Sequence, residues 1–442
     1  MVQIADKQLA HCANSPSAYY DVVIIGGGMV GATTACALAQ TGLNVAIVDS
    51  REQVHQGKFD FDGRASAIAW GSSRIWDSIG VWSKMQPVSP MHTIVVTDED
   101  YPLSLPLQTS DMRNPLNAPD SALGFVVENA VSQAALWQTI RQCANITPIE
   151  ASLVSISQPR NPEQTLAVVL NTNTGQSVRL HTKLLVGADG AKSAVRQMAG
   201  ISATHKYYDQ NCLVFILRLR RPHQNIAYER FQPAGPFAIL PFASDRLCIV
   251  WTATTEETPR LLSLSREAFK QAVQNKMGAE VVCQLGEFEL ESDQPQVYQP
   301  QWQHSQRYIA QRIVLVGDAA HTTHPVAGQG VNLGIRDAGK LGQVISQAVQ
   351  EGEDWGSLDV LARYQAQRYW DNLGTIMATD LTNLLFSNQF LPWQLLRRFG
   401  LHLFHQVTPL RQLLMYLAMG LHNLPYNPAQ ASRQEDAIHS LL

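Results

Sequence analysis

The chain has 442 residues, 45% of them hydrophobic and 16% charged, which is typical of a folded protein and too long for a single core. The formal net charge of −4 and the lack of long lysine or arginine runs argue against a nucleic-acid partner. The six cysteines are scattered without a CxxC pair, so we expect neither a disulfide framework nor a zinc site, and a reducing, cytoplasmic location.

Residues 1–20 are expected to form a flexible N-terminus. They lack a basic start followed by an apolar block, so no signal peptide is expected. The chain contains no run of about 18 apolar residues, and the sequence therefore predicts no membrane-spanning helix.

A glycine-rich turn between a strand and a helix is predicted in residues 22–40. The short run Val22–Ile25 is rich in β-branched residues, as in buried parallel strands, and Gly26, Gly28 and Gly31 follow in GxGxxG spacing. In such a turn the first glycine bends the chain, the second lets the backbone approach a pyrophosphate, and the third lets the helix pack on the strand. The helix N-terminus then faces the phosphates. The alternative is a glycine-rich turn of another α/β fold.

An acidic residue stands where dinucleotide-binding folds bind ribose. Val45–Val48 reads as a second strand, and Asp49 at its end is placed to accept hydrogen bonds from ribose hydroxyls. The strand, turn, helix and acid together predict dinucleotide binding, without choosing between FAD and NAD.

A second strand-turn-helix motif is predicted in residues 183–200. Leu184–Val186 reads as a strand that ends at Asp189 and Gly190, and a helix that carries Ser193 and Arg196 follows.

The pattern changes to short strands with partial alternation from about residue 207 to 300. The segments "CLVFILRLRR", "IAYERFQ", "PFAILPF" and "RLCIVWT" are separated by turn signals, which predicts an antiparallel sheet with one covered face. "SREAFKQAVQNKM" reads as an amphipathic helix on this sheet, and residues 90–120 read as an excursion partly joined to it.

A third motif occurs in "RIVLVGDAAHTTHPVAGQGVNLGIRD". Ile313–Val316 reads as a strand, Gly317 and Asp318 as a turn, and Val331 onward as a helix. His321 and His324 resemble a metal or acid–base pair, but no third ligand stands at a known spacing, so we expect no metal site. His324 precedes Pro325, which favours an extended backbone. A structural role or a position facing a substrate cavity are both open for His324.

Helices are predicted over residues 356–424, and their apolar residues recur at helical spacing. In the stretch "WQLLRRFGLHLFHQV" arginines and histidines are interspersed among leucines and phenylalanines. One interpretation is an ordinary helix packed on the core; the other is a surface for peripheral contact with a membrane or a partner protein.

The three motifs, in this order and spacing, resemble the FAD-dependent aromatic hydroxylases typified by p-hydroxybenzoate hydroxylase. The stretches "FDGRASAIAWGSSRIWDSIGVW", "LGFVVENAVSQAAL", "ERFQPAGPFAILP", "HPVAGQGVNLGIRD" and "ATDLTNLLFSN" are similar to the ubiquinone-biosynthesis hydroxylases, and "FDGRASAI" is closest to their 2-octaprenyl-6-methoxyphenol hydroxylase branch. The resemblance covers about residues 21–425.

The resemblance implies FAD as cofactor and NAD(P)H as a transient electron donor. The first motif would hold the ADP part of FAD, Asp189-Gly190 would serve both FAD and the nicotinamide donor, and Gly317-Asp318 would bind the ribityl chain. Arg64 and Gln133 would also reach FAD. Arg64 can pair with phosphate and Gln133 with ribityl hydroxyls, although a surface salt bridge and a solvated helical side chain are the respective alternatives.

The loop before the third helix is where we expect the flavin ring to react. Pro325 would fix the loop, while Gly328 and Gly330 would let the backbone touch the ring. The helix opening at Gln329, Gly330, Val331 and Asn332 would stabilise negative charge near flavin N1 and C2=O with its backbone N–H groups. Tyr228, Phe237, Pro241 and His324 are the candidates for the substrate pocket, with membership of the sheet core as the alternative for the first three.

The sequence thus predicts an α/β protein of three parts. A Rossmann-like FAD-binding domain with a parallel sheet would comprise residues 21–95, 121–206 and 301–385. A smaller antiparallel-sheet substrate domain would comprise 96–120 and 207–300, and C-terminal helices 386–442.

The expected reaction is the hydroxylation of a polyprenylated phenol in ubiquinone or related quinone biosynthesis, with O₂ activated as a flavin C4a-hydroperoxide. Partners would be that phenol, O₂, and a membrane surface or a quinone-biosynthesis complex. Alternatives are the hydroxylation of another phenol, an O₂-independent isoprenoid reductase or dehydrogenase, and a non-catalytic FAD scaffold.

Overall fold

The computed structural model describes most of the chain, namely residues 17–52, 57, 59, 63–99, 101–111, 122–157, 161, 165–243, 245–292, 294–387 and 390–421. Most of the expected flexible N-terminus, residues 1–16, and the end of the chain, residues 422–442, lie outside the described residues.

The strands of the described residues are, in chain order, β1 (Ser17–Ile25), β2 (Val45–Asp49), β3 (Ala65–Ala69), β4 (Ser89–Met91), β5 (Thr93–Asp98), β6 (Ser104–Gln108), β7 (Gly124–Glu128), β8 (Ile146–Ser157), β9 (Leu166–Thr172), β10 (Ser177–Gly187), β11 (Ala203–Tyr207), β12 (Gln210–Leu219), β13 (Ile226–Gln232), β14 (Gly235–Phe242), β15 (Arg246–Thr254), β16 (Phe288–Leu290), β17 (Gln296–Tyr298), β18 (Gln301–Ser305), β19 (Ile309–Ala310), β20 (Ile313–Leu315) and β21 (His321–Thr322).

The α-helices of the described residues are α1 (Met29–Ala39), α2 (Trp70–Ser78), α3 (Asn129–Gln142), α4 (Ala194–Met198), α5 (Glu257–Leu262), α6 (Arg266–Met277), α7 (Ala279–Leu285), α8 (Gln329–Gln350), α9 (Leu358–Phe386), α10 (Leu391–Gln406) and α11 (Thr408–Ala418). Short 3₁₀ turns occupy Gly317–Ala319 and Val326–Gly328.

The predicted parallel sheet is present, with strands in the order β8, β2, β1, β10, β20. β1 lies between two parallel neighbours, which explains why its second half is a continuous apolar run. It begins at Ser17, before the expected start at residue 21, because Ser17–Tyr20 pair with Arg179–Thr182 of β10. The far halves of β8 and β10 pair antiparallel with β9, and β19 adds an antiparallel edge.

Helices α1 and α8 pack against each other closely, through glycine. A Cβ atom built at Gly334 would lie 2.4 Å from Val30 Cγ2, and one built at Gly342 would lie 3.0 Å from Ala37 Cβ. Since α1 follows the first motif and α8 follows the third, this contact brings the two motifs together.

The predicted smaller sheet is also present, in the order β16, β12, β15, β14, β13, β5, β6. One face is covered by α5–α7, and the other faces the three-stranded sheet β3–β7–β4. The sheet is antiparallel as expected at every strand pair but one, because β5 runs parallel to β13. The long connection between them allows this direction, which a short hairpin would not. β5 begins at Thr93, slightly before the expected boundary at residue 96.

The expected C-terminal helices are α9, α10 and α11. Their inner side chains Phe386, Leu401, Met415 and Met419 form one apolar cluster with β6, β13 and the loop residue Val326. The helices therefore close the side of the molecule where the small sheet meets the third motif.

Candidate active site

The carboxyl ends of four parallel strands meet at one edge of the large sheet. Ile25 is opposite Val48 and Gly187, and Gly187 is opposite Leu315. The residues that follow these strands are those of the three sequence motifs. In open α/β sheets this edge is where ligands bind.

The first motif makes the turn that its spacing predicts. Gly26 has a φ of +106°, and a Cβ there would lie 2.3 Å from the Ala188 carbonyl oxygen, so only glycine fits. A Cβ at Gly31 would lie 1.9 Å from the Gly26 oxygen, which shows how closely helix and turn pack. A Cβ at Gly28 would meet nothing within 4 Å, so this position borders open space.

Asp49 stands at the end of β2 as predicted, but it holds the glycine turn. Its Oδ2 accepts from Gly27 N at 2.7 Å and from Arg51 Nη2 at 2.8 Å, and its Oδ1 accepts from Arg51 N and Nε, both at 2.9 Å. These bonds use about four acceptor sites, the capacity of a carboxylate. Trp137 supports the same turn, because its Nε1 donates to the Gly27 oxygen at 2.9 Å.

Asp189 caps the short helix α4. Its Oδ1 accepts from Ser193 Oγ at 2.5 Å, and its Oδ2 accepts from the Ala194 and Val195 amides at 2.7 and 3.1 Å. Gly190 has a φ of +82° and no neighbour within 4 Å of a built Cβ, so the open surface of this motif is the glycine. Arg196 joins this motif to the third one, because its Nη1 donates to the Ala319 oxygen at 2.8 Å.

The side chain of Asp318 is accessible to solvent, although protein atoms surround it. No described residue donates a hydrogen bond to its carboxylate, and burial raises the pKa of this carboxyl, an effect that nearby His321 opposes and Asp337 reinforces. An accessible carboxylate in low-dielectric surroundings indicates that Asp318 projects into an interior space. Gly317, beside it, has a φ of +57° and would clash with Val30 of α1 if it carried a Cβ.

A buried ion network below this turn was not found from the sequence. Asp337 on α8 accepts from the Gly317 amide at 2.9 Å, contacts His321 Nε2 at 2.6 Å, and accepts from Arg368 Nε at 2.8 Å. Asn372 Nδ2 adds a fourth bond at 3.0 Å. Burial alone would raise the pKa of Asp337, but His321 and Arg368 outweigh it and hold this pKa well below its usual range. His321, the first histidine of the loop, therefore helps to stabilise the turn.

The loop from His324 to Asn332 joins α8 to β3. Gly328 is left-handed, with a φ of +59°, and a Cβ there would lie 3.1 Å from Ala67 Cβ. Asn332 Nδ2 donates to the oxygens of Ala67 at 2.8 Å and Gly328 at 2.9 Å, and its Oδ1 accepts from the Ala69 amide at 2.8 Å. The Asn332 side chain is therefore a structural bridge between strand and helix.

The remaining predicted loop residues lie at the start of α8. Pro325 is half-buried, and its carbonyl accepts from the Gly328 amide at 2.9 Å. Gln329 is held by Arg336, whose Nη2 donates to its Oε1 at 2.9 Å. Gly330 has only Thr323 Cγ2 near a built Cβ, at 3.9 Å, and Val331 is half-buried.

His324 is fully buried and ties the loop to the small sheet and to α9. Its Nε2 lies 3.2 Å from Gln210 Oε1, and its ring packs edge-on against Tyr208 at 4.7 Å between centroids. Gln210 in turn accepts from Asn383 Nδ2 at 3.1 Å. Burial lowers the pKa of His324 to about 4, so the ring is neutral near pH 7. These contacts favour the structural role over the substrate-facing one.

Arg64 and Gln133 lie on other elements, close to the junction between β3 and α3. Arg64 is exposed immediately before β3, and its carbonyl accepts from the Asn129 amide, where α3 begins. Gln133 is half-buried in the second turn of α3.

An interior space separates the small sheet from β3. The inner residues Ala238, Leu240 and Val250 are only half-buried, as are Ala65 and Ala67 opposite them. The outer residues of the same strands, Ile239, Ile249 and Trp251, are sealed under helices α5–α7. Other inner residues, such as Ile216 and Cys248, are buried against the three-stranded sheet. From the partial accessibility around Ala238, Leu240 and Val250 we infer a cavity between the two sheets at this place.

Tyr228 and Phe237 are not brought to this cavity. Both are buried in the outer core, where Phe237 packs against Trp251 with ring centroids 5.8 Å apart. Pro241 has the same strand phase as Phe237 and is also buried. The expectation that these three residues line a substrate pocket is therefore corrected, because strand alternation turns them to the helix-covered face.

Sequence comparison identifies the family. Residues 19–370 match the family model described as "FAD binding domain". The chain is 37% identical to the ubiquinone hydroxylase UbiL of Rhodospirillum rubrum over 93% of this chain and 92% of that protein. It is 31% identical to the 3-demethoxyubiquinol 3-hydroxylase of Escherichia coli K12 over 91% and 98% of the two chains. The chain belongs to this family of FAD-dependent monooxygenases.

Solved structures agree with this fold. The p-nitrophenol 4-monooxygenase PnpA of Pseudomonas putida superimposes with a TM-score of 0.69 at 16% identity, over 93% of this chain and 100% of that one. The expected α/β fold is thereby confirmed, while the family match and the curated relatives confirm the expected FAD-dependent monooxygenase class.

The residues at the strand ends fit FAD. Helices α1 and α8 both begin without a side-chain cap and without an acidic residue in the first turn, so their N–H groups are open to an anionic ligand. Asp318 offers unused acceptors for hydroxyl groups, and Gly28 and Gly190 leave space for close approach of a ligand to the backbone. Within the part of the chain that the structure describes, no three His, Cys, Asp or Glu side chains converge as metal ligands.

Proposed function

We propose that this enzyme hydroxylates the aromatic ring of a polyprenylated phenol in the biosynthesis of ubiquinone or a related quinone, using NAD(P)H and O₂. The proposal is carried by the partly accessible apolar side chains between β3 and the small sheet, together with the uncapped start of α8, whose preceding residue Gly328 lies beside Ala67 of β3. The relatives named as ubiquinone hydroxylases over more than 90% of their length support the quinone-precursor class.

In this proposal Gly26, Gly28 and Gly31 hold the ADP part of FAD at the start of α1, with Arg64 on phosphate. Asp49 reaches the ribose through exchange with the half-exposed Arg51 side chain, and Asp318 and Gln133 bind the ribityl chain. Bound FAD supplies electron transfer from NAD(P)H and the activation of O₂. Asp189 positions Gly190 for the transient nicotinamide donor, because its own oxygens are taken by the cap of α4.

The loop residues act through their backbone. Pro325 and Gly328 fix the loop against β3, and Gly330 leaves the first turn of α8 bare. The N–H groups of Gln329 to Asn332 then stabilise negative charge on the flavin ring, in a site from which the surrounding sheets exclude water. Asn332 preorganises this turn with its three hydrogen bonds.

The proposal is tested with the FAD-loaded enzyme, NADPH, ¹⁸O₂ and a 2-prenylphenol with a short isoprenoid chain. We expect phenol-stimulated NADPH oxidation and one ¹⁸O atom in the ring of the product. Product formation without ¹⁸O would favour an isoprenoid reductase or dehydrogenase, and the absence of any phenol-stimulated oxidation would favour a scaffold. A phenol that lacks the prenyl group but reacts equally well would favour another substrate.

We also propose that the C-terminal helices adsorb to a lipid bilayer, from which the polyprenylated substrate is drawn. Leu391, Leu395 and Phe399 recur every fourth residue along α10 and are 63%, 59% and 64% exposed. Leu413 and Leu417 of α11 and Leu384 of α9 are also exposed. An apolar helix face of this kind lies in the interfacial plane of a membrane. None of the helices in the described ranges has the length and apolarity to span a bilayer.

The same helices connect this surface with the cavity. On their opposite faces Leu401 and Met415 pack in the cluster that contains Val326 of the loop and Phe231 of β13. In this proposal a prenyl chain that leaves the bilayer at α10 reaches the site alongside this buried apolar cluster.

Flotation with phosphatidylcholine–phosphatidylglycerol vesicles tests this surface. We expect the double variant Leu395→Glu/Phe399→Glu to lose most vesicle binding, while Met198→Glu, at an exposed apolar position on α4, retains it. Equal binding of all three proteins would overturn the membrane assignment. Loss of a purified protein partner from the double variant, without any change in flotation, would assign the surface to a quinone-biosynthesis complex.

A further inference from the structure

A carboxylate lies on the roof of the cavity and has no role in the site described so far. Glu229 is in the middle of β13, between Ala227 and Phe231 on the inner face of the small sheet. Tyr228, one residue earlier, is buried in the outer core, which fixes the phase of the strand. Glu229 therefore points toward the FAD-binding domain.

The neighbours of Glu229 on the inner face locate it over the loop and β3. Ala227 belongs to the cluster that includes Ala65 and Ala67 of β3, and Phe231 belongs to the cluster that includes Val326 of the loop. Gly328 and Ala67 are themselves in contact range, so β3 and the loop meet beneath this part of the sheet. Glu229 lies between these two points, above the region assigned to the flavin ring.

The Glu229 carboxylate is without a partner among the residues that the structure describes. Its strand neighbours are apolar, with Val96 of β5 on one side and Ala238 of β14 on the other. The side chain is partly accessible, as are Ala238 and Val96, so it reaches the cavity rather than the packed core. A carboxyl group placed in apolar surroundings without a counter-charge is costly to keep unless a ligand uses it.

The charged groups around this part of the cavity are occupied elsewhere. Asp98, at the end of β5, is bound by Arg397 and Arg398. His324 of the loop is bound to Gln210, and Arg64 stands before β3 rather than on its inner face. The inner positions of β6 and β14 are the apolar Leu105, Leu107, Ala238 and Leu240.

We propose that Glu229 is a catalytic residue that accepts the hydroxyl proton of the bound phenol. The inference rests on the proposed function, since it assigns the phenol to the cavity. The O–H bond of the phenol breaks, the proton moves to a carboxylate oxygen of Glu229, and the electron pair stays on the phenolate oxygen. That charge delocalises into the ring and makes its ortho and para carbons better nucleophiles toward the activated oxygen. On rearomatisation Glu229 returns its proton to the ring oxygen, while the ring carbon that has gained the hydroxyl loses its own proton to solvent. Glu229 is then ionised again, and the second oxygen atom of O₂ leaves as water, with the two electrons supplied by NAD(P)H.

The basicity of Glu229 suits this transfer. Burial raises the pKa of its carboxyl to about 7. A base near neutrality is ionised in part at the working pH and still accepts a proton well from a phenol, whose ordinary pKa is about 10. An ordinary exposed glutamate, with a pKa of about 4.3, would be a much weaker acceptor.

The test compares the FAD-loaded wild-type enzyme with Glu229→Gln, Glu229→Asp and the exposed control Glu256→Gln. The probe is a short-chain 2-prenylphenol, and its methyl ether, which has no proton to give, is the matched ligand. Difference absorption of the bound probe is recorded without NADPH. We expect a phenolate band in the wild type and Glu256→Gln, its loss in Glu229→Gln, and its partial return in Glu229→Asp.

Turnover gives the second measurement. We expect Glu229→Gln to retain FAD and phenol binding but to lose at least 10-fold in product formed per NADPH oxidised, with hydrogen peroxide released instead. In the wild type we expect the ratio of product to oxidised NADPH to decrease as the pH is lowered below about 7. In Glu229→Gln we expect this ratio to be independent of pH over the same range. Binding of the methyl ether should be equal in both proteins.

The two proposals fail separately. If the wild type incorporates ¹⁸O but Glu229→Gln shows the same phenolate band and the same coupling, the assignment of Glu229 is wrong. If the wild type makes no hydroxylated product, the proposed function fails, while the phenolate band still decides whether Glu229 takes a proton. A Glu229→Gln protein that cannot be folded leaves the decision to Glu229→Asp, which must show the weaker band and an altered pH profile.

Discussion

Asp318 and Asp337 are two acids near one histidine with pKa values shifted in opposite directions. Asp318 has no hydrogen-bond donor among the described residues, so burial raises its pKa. Asp337 is held by His321, Arg368 and two amide donors, which lower its pKa in spite of burial. The carboxylate of Asp318 therefore keeps acceptors for a ligand, whereas that of Asp337 stabilises the Gly317 turn.

Removing the charge of Asp318 should weaken cofactor binding. In Asp318→Asn the side chain keeps its shape but accepts weaker hydrogen bonds, so we expect a loss of about 1.5–3 kcal/mol, or roughly 10- to 100-fold in FAD affinity. Flavin fluorescence released on dialysis measures this. Asp77→Asn, on the surface of α2, is the control, and a variant that keeps its full yellow colour would contradict the role.

Asp337→Asn should affect stability. Breaking this buried network removes one of the two carboxylates that pair with Arg368, the other being Asp371, and we expect a loss of about 3–5 kcal/mol in the free energy of unfolding. Because the pKa of Asp337 is lowered in the folded state, its contribution is present above the unfolded value of about 3.9 and is lost as the pH falls further. Urea unfolding at pH 7 and at pH 3 should therefore show a large difference from wild type that shrinks at the lower pH.

At the scale of elements, the contact of α1 with α8 sets the distance between the first and third motifs. Gly334→Ala places a Cβ 2.4 Å from Val30 Cγ2, so we expect destabilisation by about 1–3 kcal/mol and weaker FAD binding. Gly374→Ala, inside α9 with nothing within 4 Å, should instead be neutral or stabilising by up to about 1 kcal/mol. Thermal unfolding distinguishes the two variants. Adding Val30→Ala should restore part of the stability lost in Gly334→Ala, whereas its effect should be simply additive with that of Gly374→Ala.

Elements were predicted well from the sequence where local pattern determines them. The strand-turn-helix units of the three motifs follow from apolar runs and glycine spacing, and the helix Arg266–Met277 from its periodicity. The direction of β5 and the network around Asp337 could not be predicted, because the bonding partners are distant in sequence: Arg368 is 31 residues from Asp337. Tyr228 and Phe237 show a different limit, since alternation predicts two faces of a strand but not which face meets the cofactor domain.

The alternation of apolar and polar residues in "IAYERFQ" nevertheless indicated that Glu229 has an unusual position. If Tyr228 faces the core, strand alternation places Glu229 on the opposite face of the sheet, which also packs against protein. A charged side chain on a covered face requires a ligand or a hydrogen-bonding partner. The sequence could have raised the question, but only the accessibility of the inner face of the sheet shows that a cavity lies there.

At the scale of the whole molecule, a buried ion pair connects the tail to the small sheet. Arg397 on α10 donates from Nε to Asp98 Oδ2 at 2.9 Å, and the two residues are 2% and 0% exposed although 299 positions separate them. This pair holds α10 with its apolar outer face away from the protein. The inner face of α10 packs against the apolar cluster that contains Val326 and Phe231. This long-range ion pair, which no local pattern predicts, therefore acts together with the apolar cluster and the Arg411–Asp111 pair to place the tail.

Removing one partner of this pair should release the tail from the rest of the fold. In Asp98→Asn the buried guanidinium of Arg397 loses the negative charge of Asp98, and we expect about 3–5 kcal/mol of destabilisation concentrated in α10 and α11. Hydrogen exchange of Leu391–Ala418 should then accelerate at least 10-fold, while exchange in β1, β2 and β10 changes little. The double variant Asp98→Leu/Arg397→Met, which replaces both buried charges by apolar groups, should recover most of the protection. The second partner of Asp98, Arg398, is 35% exposed, so its charge stays in contact with solvent. Uniform acceleration across the chain would show instead that the tail and the FAD-binding domain unfold as one unit.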